Sequence, residues 1–141
     1  MNPRNTKKGL VLEQMILPAL KQGGYQCRTH VHIGQRLDGK RHIIDVLAQD
    51  AQENQWLILL KWQQVASTAE EEVPFKFLCL VDAVRSSEGK YRKAYLVLGG
   101  DGWTLRDFFI GDGLKQIMNY SNLVDVVTLE TFVGLANQGK L

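Results

Sequence analysis

Two apolar runs, His42 to Ala48 and Trp56 to Trp62, each carry a single formal charge. Asp45 stands among Ile43, Ile44, Val46 and Leu47, and Lys61 follows Ile58, Leu59 and Leu60. Short runs this rich in Ile, Leu and Val, bounded by polar turns, read as largely buried strands. A charge inside such a strand is expensive to bury unless it is paired or holds a metal. The chain must therefore build a sheet that satisfies both groups. An ion pair between them would do so, as would strand ends that surface, or a working site.

The surrounding pattern supplies the rest of the sheet. Leu10, Val11, Ile16, Leu17 and Leu20 recur at helical spacing from about Lys8 to Gln22, and Gly23-Gly24 stops that helix. Pro18 predicts a kink or a tighter last turn. Tyr25 to Ile33 reads as a first strand, and Asp38-Gly39 as a hairpin turn into the Asp45 run. After the Lys61 run, Ser67-Thr68-Ala69-Glu70 fits a capping box opening a helix to Val84. Its inward stripe is Val73, Phe77, Leu80, Val81 and Val84, and Pro74 leaves open one kinked helix or two short ones. Ala94 to Leu98 is a further strand, and Trp103 to Tyr120 is expected to be mainly helical with a break at Gly111-Asp112-Gly113. Leu123 to Leu129 closes the sheet, and Glu130 to Asn137 is a last helix. A hairpin followed by crossovers implies an α/β fold with a mixed sheet between helices.

Composition narrows the class. The 141 residues favour one domain, residues 1–141. With 45% hydrophobic and 23% charged residues, disorder is excluded as the main state. No apolar run approaches the ~20 residues of a membrane span. Seventeen basic against 15 acidic residues give a net charge of +2, which permits a nucleic-acid partner without arguing for one. Met1 to Gly9 has basic residues but no apolar stretch behind it, so a cytoplasmic location is expected. Cys27 and Cys79 lack partners at metal-ligand spacing and read as free thiols, Cys79 as a small core residue.

Several familiar chemistries are missing. There is no phosphate loop of the G-x-x-x-x-G-K-[ST] type, no G-x-S-x-G elbow and no H-E-x-x-H zinc motif. Gly99-Gly100-Asp101-Gly102 reads as a turn with positive backbone angles rather than a phosphate cradle. His30, His32 and His42 lack further ligands and read as surface or DNA-facing residues.

Ile44-Asp45-Val46, and beyond a polar turn Leu59-Leu60-Lys61-Trp62-Gln63, resemble the core motif of the PD-(D/E)XK nuclease superfamily. The order helix, hairpin with an Asp in its second strand, strand ending near a Lys, then helix resembles it too. Ser67 to Phe75 and Ala94 to Gly100 extend the likeness, which covers roughly Gly9 to Trp103. The resemblance implies a restriction-endonuclease-like three-layer core, αβββαβ plus C-terminal elements, and a Mg²⁺-dependent DNA endonuclease, with Mn²⁺ as an alternative ion. Phosphodiester hydrolysis needs a hard divalent cation held by oxygen ligands and a positive group aimed at the water or phosphate. By this resemblance Asp45 and the main-chain carbonyl of Leu60 hold the metal and Lys61 positions the nucleophile. Glu13 matches an acid that many members place near the metal. Gln63, one strand period beyond Lys61, would contact DNA or a bound water.

One position departs from the pattern. The second acid of the family stands two residues before the lysine, where this chain has Leu59. Either the acid has moved to the following helix, where Glu70, Glu71 and Glu72 cluster, with Glu70 or Glu71 as metal ligand, or the site is degenerate and the domain binds DNA or a partner without cutting. The glutamates otherwise read as a solvated first turn complementing the helix dipole. Arg28, Arg36, Lys40 and Arg41 around the hairpin are the candidate phosphate contacts. Cleavage of both strands would need two sites, and hence a homodimer.

Overall fold

A computed structural model describes residues 6–141. The first residues of the N-terminal stretch weighed above as a leader, 1–5, lie outside the described residues. Helix α1 (Lys7–Val11) begins at the Thr6 cap, whose side chain accepts from the Gly9 N–H. It runs through a π-helical turn, Leu12–Ile16, into α2 (Leu17–Gln22). The expected kink or tight final turn is replaced by this wider turn upstream of Pro18. Proline has no N–H to close the normal helical bond, and a local widening absorbs the loss.

The five strands are β1 (Gln26–Gln35), β2 (Arg41–Gln49), β3 (Gln55–Trp62), β4 (Tyr91–Gly99) and β5 (Val124–Thr128). They lie in sequence order, with β1–β2–β3 antiparallel and β3–β4–β5 parallel. The mixed sheet and its two helical layers are as expected. One layer, α1, α2 and α6 (Leu129–Asn137), packs Val11, Ile16, Leu20 and Phe132 onto Val46, Ile58, Leu60 and Val97. The other is α3 (Val73–Ser86) with the short α4 (Arg106–Ile110) and α5 (Gly113–Ile117), which cover Ile44, Leu57, Leu59 and Leu96. The continuous helix expected over Trp103 to Tyr120 is instead two single-turn pieces. Asp112 and Tyr120 take positive φ, 66° and 57°, which interrupts any helical run.

The Thr68 helix resolves into a 3₁₀ turn, Thr68–Glu72, followed by α3 with Pro74 in its first turn. Pro74 is tolerated there because an N–H in the first turn has no helical partner to lose.

The placement of Asp45 depends on a fault in the hairpin. Strand β3 alternates strictly, Ile58 and Leu60 toward one layer and Leu57 and Leu59 toward the other. Strand β2 does not: Ile44 packs with α3, whereas Val46 packs with the α1 layer. The switch falls at Asp45. Opposite it, between the pairs Thr29↔Val46 and Val31↔Ile44, His30 has φ 52°, in the left-handed region. A residue there reverses the pleat, so β1 changes face at the same level, with Cys27 against one layer and Val31 against the other.

Candidate active site

Strands β2 and β3 pair from Gln49↔Gln55 to Val46↔Ile58, and the recorded pairing stops there, one residue short of Asp45. Asp45 Oδ2 accepts the backbone N–H of Leu60 at 2.7 Å, so a side chain bridges the strands where the main-chain ladder ends. The carboxylate is buried, 7% exposed. Its other oxygen, Oδ1, lies 3.1 Å from the ammonium of Lys8 on α1, a residue that is itself only partly buried. In a strand the N–H and C=O of one residue point to the same edge. The Leu60 carbonyl is therefore on the Asp45 side of β3.

Lys61 is half-buried, and its ammonium stands 3.8 Å from Glu72 Oε2 at the N-terminal end of α3. The two charges embedded in the apolar runs do not pair with each other. Asp45 takes its counter-charge from α1 and Lys61 takes its own from α3. Leu59, directly across from Asp45 in the register set by Val46↔Ile58, is 8% exposed and packed in the core beneath α3. Lys76, one helical turn beyond Glu72, has its proton affinity lowered by burial and by the neighbouring cations Arg36 and Lys61.

Glu70 is buried, and its carboxylate is committed elsewhere. It accepts the N–H of Thr104 at 3.0 Å, the N–H of Leu105 at 2.9 Å, the Thr104 hydroxyl and Gln63 Nε2 at 2.8 Å. Those bonds, the Thr104 hydroxyl first, hold Glu70 below the usual glutamate range. The capping box is half formed: Ser67 accepts from the Ala69 N–H at 2.9 Å, but Glu70 caps the loop after β4 instead of turning back. Both Glu70 oxygens are thus engaged, Oε2 by Gln63 and the Thr104 N–H and Oε1 by the Thr104 hydroxyl and the Leu105 N–H. Gln63 is buried as well, its amide donating to Glu70 and, at 2.9 Å, to the Gly102 carbonyl. The two loops lie backbone to backbone, Gln63 donating to Gly99 O and Gly102 to Gln63 O. A Cβ at Gly100 would sit 2.3 Å from Gln63 O, so the glycines serve this close approach as well as the positive φ of Gly100.

The remaining candidates scatter. Glu13 is exposed on the π-helical turn, and Glu71 is exposed beside Glu72. Arg28, Lys40 and Arg41 are exposed on the β1–β2 hairpin. Arg36 binds Asp38 at 2.7 Å and stacks 5.2 Å from the Phe75 ring, joining the hairpin to α3. His30 and His32 are exposed, but His42 is buried, contrary to its reading as a surface residue. Burial first, then the charges of Arg36 and Lys76, push its pKa down. Lys8 was missed by the sequence reading, and Glu72 was weighed there only as one of three clustered glutamates, with no role of its own. Neither has a local signature, since each meets the site only through helix packing.

Among the described residues, no three His, Cys, Asp or Glu side chains stand together as a preformed metal cluster. Asp45 still fits a divalent cation. It is a hard oxygen donor fixed on one side by Leu60, with its second oxygen already drawing a cation, and a main-chain carbonyl lies on the same edge. Mg²⁺ commonly needs only one or two carboxylates and keeps several waters.

A three-layer arrangement with a split mixed sheet and an Asp and a Lys at the split defines a restriction-endonuclease-like fold. The sequence matches the PD-(D/E)XK nuclease superfamily domain over residues 4–140, and the chain belongs to that superfamily. Among solved structures it is similar to a protein of unknown function, AF1548, with TM-score 0.51 and 11% identity over 80% of this chain and 54% of that one. A repair endonuclease from Pyrococcus abyssi is similar at TM-score 0.44 and 16% identity, over 86% of this chain and 43% of the other. An EndoMS–dsDNA2 complex is similar at TM-score 0.46 and 17% identity, over 85% and 41%. The chain thus spans about half or less of each of these solved chains. Against curated proteins the sequence finds no match. No helix among the described residues is long and apolar enough to cross a membrane.

Proposed function

We propose that this chain is a DNA endonuclease that works with Mg²⁺ or Mn²⁺, its residues 1–141 forming one nuclease domain. The observation that carries the reading is the buried Asp45 carboxylate at the fork of β2 and β3, bonded to the N–H of Leu60, the residue just before Lys61. A bound divalent ion there supplies charge neutralisation at the phosphate and a more acidic water. Asp45 and the Leu60 carbonyl would hold it, at the carboxylate oxygen that Lys8 pairs with here. Lys61 turns its ammonium from Glu72 toward the attacking water or a non-bridging phosphate oxygen, where a fixed positive charge favours the transition state. Gln63 and Glu70 act by holding the segment that follows Lys61 in place. The exposed cations Arg28, Lys40 and Arg41, with Arg36, lie along the hairpin that carries Asp45 and offer phosphate contacts. Cleavage of both strands of a duplex calls for two copies of the chain.

A second reading follows from Leu59: a domain that binds DNA without cutting it. Incubation with supercoiled plasmid and Mg²⁺ or Mn²⁺, beside EDTA, separates the two. Metal-dependent nicking supports the nuclease. Salt-sensitive DNA binding with no cleavage under either ion supports the binding module.

A further inference from the structure

The β1–β2 hairpin outruns its sheet. Its strands pair as far as Gln35↔Arg41, whereas the recorded pairing of β2 with β3 ends at Val46↔Ile58. The residues from Arg41 to Asp45 therefore carry the hairpin about 16 Å past the fork as a two-stranded arm. We propose that this arm enters the major groove of the duplex and that Leu37, at its tip, contacts the methyl groups of thymine there. The inference rests on the nuclease reading, since it takes DNA as the substrate.

The arm has one covered face and one bare face. Val31, Ile33 and Ile44 join the layer beneath α3. On the other face His32 and Ile43, a cross-strand pair, are both exposed, Ile43 by 45%, because on β2 the α1 layer begins only at Val46. The bare face is thus on the side from which Lys8 of α1 reaches Asp45. The charge of the arm suits a polyanion. Arg36, Lys40 and Arg41 surround the tip, and the acid among them, Asp38, is already held by Arg36 at 2.7 Å and by the Lys40 N–H at 3.1 Å. A two-stranded ribbon fits the ~12 Å major groove and not the ~6 Å minor groove.

A lone exposed leucine on a surface is ordinary, but this one is displayed from a fixed turn. The Arg36 N–H donates to Lys40 O at 2.7 Å and the Gly39 N–H to Arg36 O at 3.0 Å, and the Arg36 guanidinium rests 5.2 Å from the Phe75 ring of α3. Leu37 stands 53% exposed in that turn. Because its backbone is already ordered, contact costs little further freedom. Among the base edges of the major groove, the apolar partner open to an aliphatic tip is the thymine C5-methyl.

The test is fluorescence anisotropy, in EDTA and again in Ca²⁺, with an alternating dA–dT duplex and its dA–dU counterpart, which lacks only the C5-methyl groups. Wild type is compared with Leu37→Ala, a change at an exposed position that leaves the core untouched. Wild type is expected to bind the thymine duplex about three- to fivefold more tightly, the scale of one buried methyl group. Leu37→Ala is expected to bind both duplexes alike, at the wild-type level for uracil. Any effect of uracil on duplex shape persists in Leu37→Ala and cancels in the comparison. Equal affinity of wild type for the two duplexes, or a preference that Leu37→Ala retains, overturns the inference and leaves the nuclease reading intact. No binding to either duplex under either condition overturns the inference and removes the DNA partner with it.

Discussion

The carboxylate of Glu70 accepts the backbone N–H of Thr104 at 3.0 Å across 34 residues of sequence, tying the loop after β3 to the loop after β4. Because these bonds favour the charged form, Glu70 titrates below an ordinary glutamate. The unfolded chain takes up this proton first. The stabilisation is therefore complete above the ordinary glutamate range and is lost as pH falls through the lower folded value. Glu70→Gln is expected to lower Tm at neutral pH, and the two melting curves should converge in acid. A gap that stays constant with pH would show that the charge is not what the latch uses.

The glycines opposite that latch give a separate check. At Gly100 a Cβ would meet Gln63 O at 2.3 Å, and φ is +91°. Gly100→Ala should cost roughly 1–3 kcal/mol of stability from backbone strain and crowding. Gly39→Ala is the comparison, with φ +82° and nothing within 4 Å of its Cβ. It shares the backbone strain but not the clash, so the larger loss at Gly100, measured by chemical denaturation, isolates the contact between loops.

Much of this fold follows from periodicity and turn chemistry. The Asp38-Gly39 hairpin, the buried β2, β3 and β4, and the inward stripe of α3 are all short-range signals. What escaped were features made by contacts between distant segments. Pro18 announces a disturbance but not that a π-helical turn will absorb it. Glu70 has the spacing of a capping box, yet four donors from Gln63, Thr104 and Leu105 outweigh the one it would satisfy locally. Asp45 and Lys61 stand out in sequence because charges in apolar strands do. Lys8 and Glu72 look like any solvated residue in sequence until α1 and α3 are packed on the sheet.

Lys8 occupies the Asp45 oxygen that a divalent cation would use. Lys8→Met removes the competing ammonium while keeping a stem of similar length. Mn²⁺ affinity measured by calorimetry should rise severalfold, and the gain should disappear in the Asp45→Asn background. No change in affinity would mean that Lys8 is only a surface partner.

The hairpin cations are expected to act on DNA through charge. Arg28→Ala and Arg41→Ala should each weaken binding about equally for unrelated duplex sequences, and each should reduce the slope of log K against log salt by about one. Fluorescence anisotropy across a salt series reads both. An unchanged slope would remove that residue from the phosphate contacts.

The central claim is that Asp45 at the strand fork works with Lys61 to cut DNA. The most direct test is plasmid cleavage in Mg²⁺ by wild type, Asp45→Asn and Lys61→Ala, each first shown to be folded by circular dichroism. The account predicts metal-dependent nicking by wild type, abolished by EDTA and reduced by about 10²–10³-fold or more in each variant. Cleavage by wild type that persists in folded Asp45→Asn would contradict it.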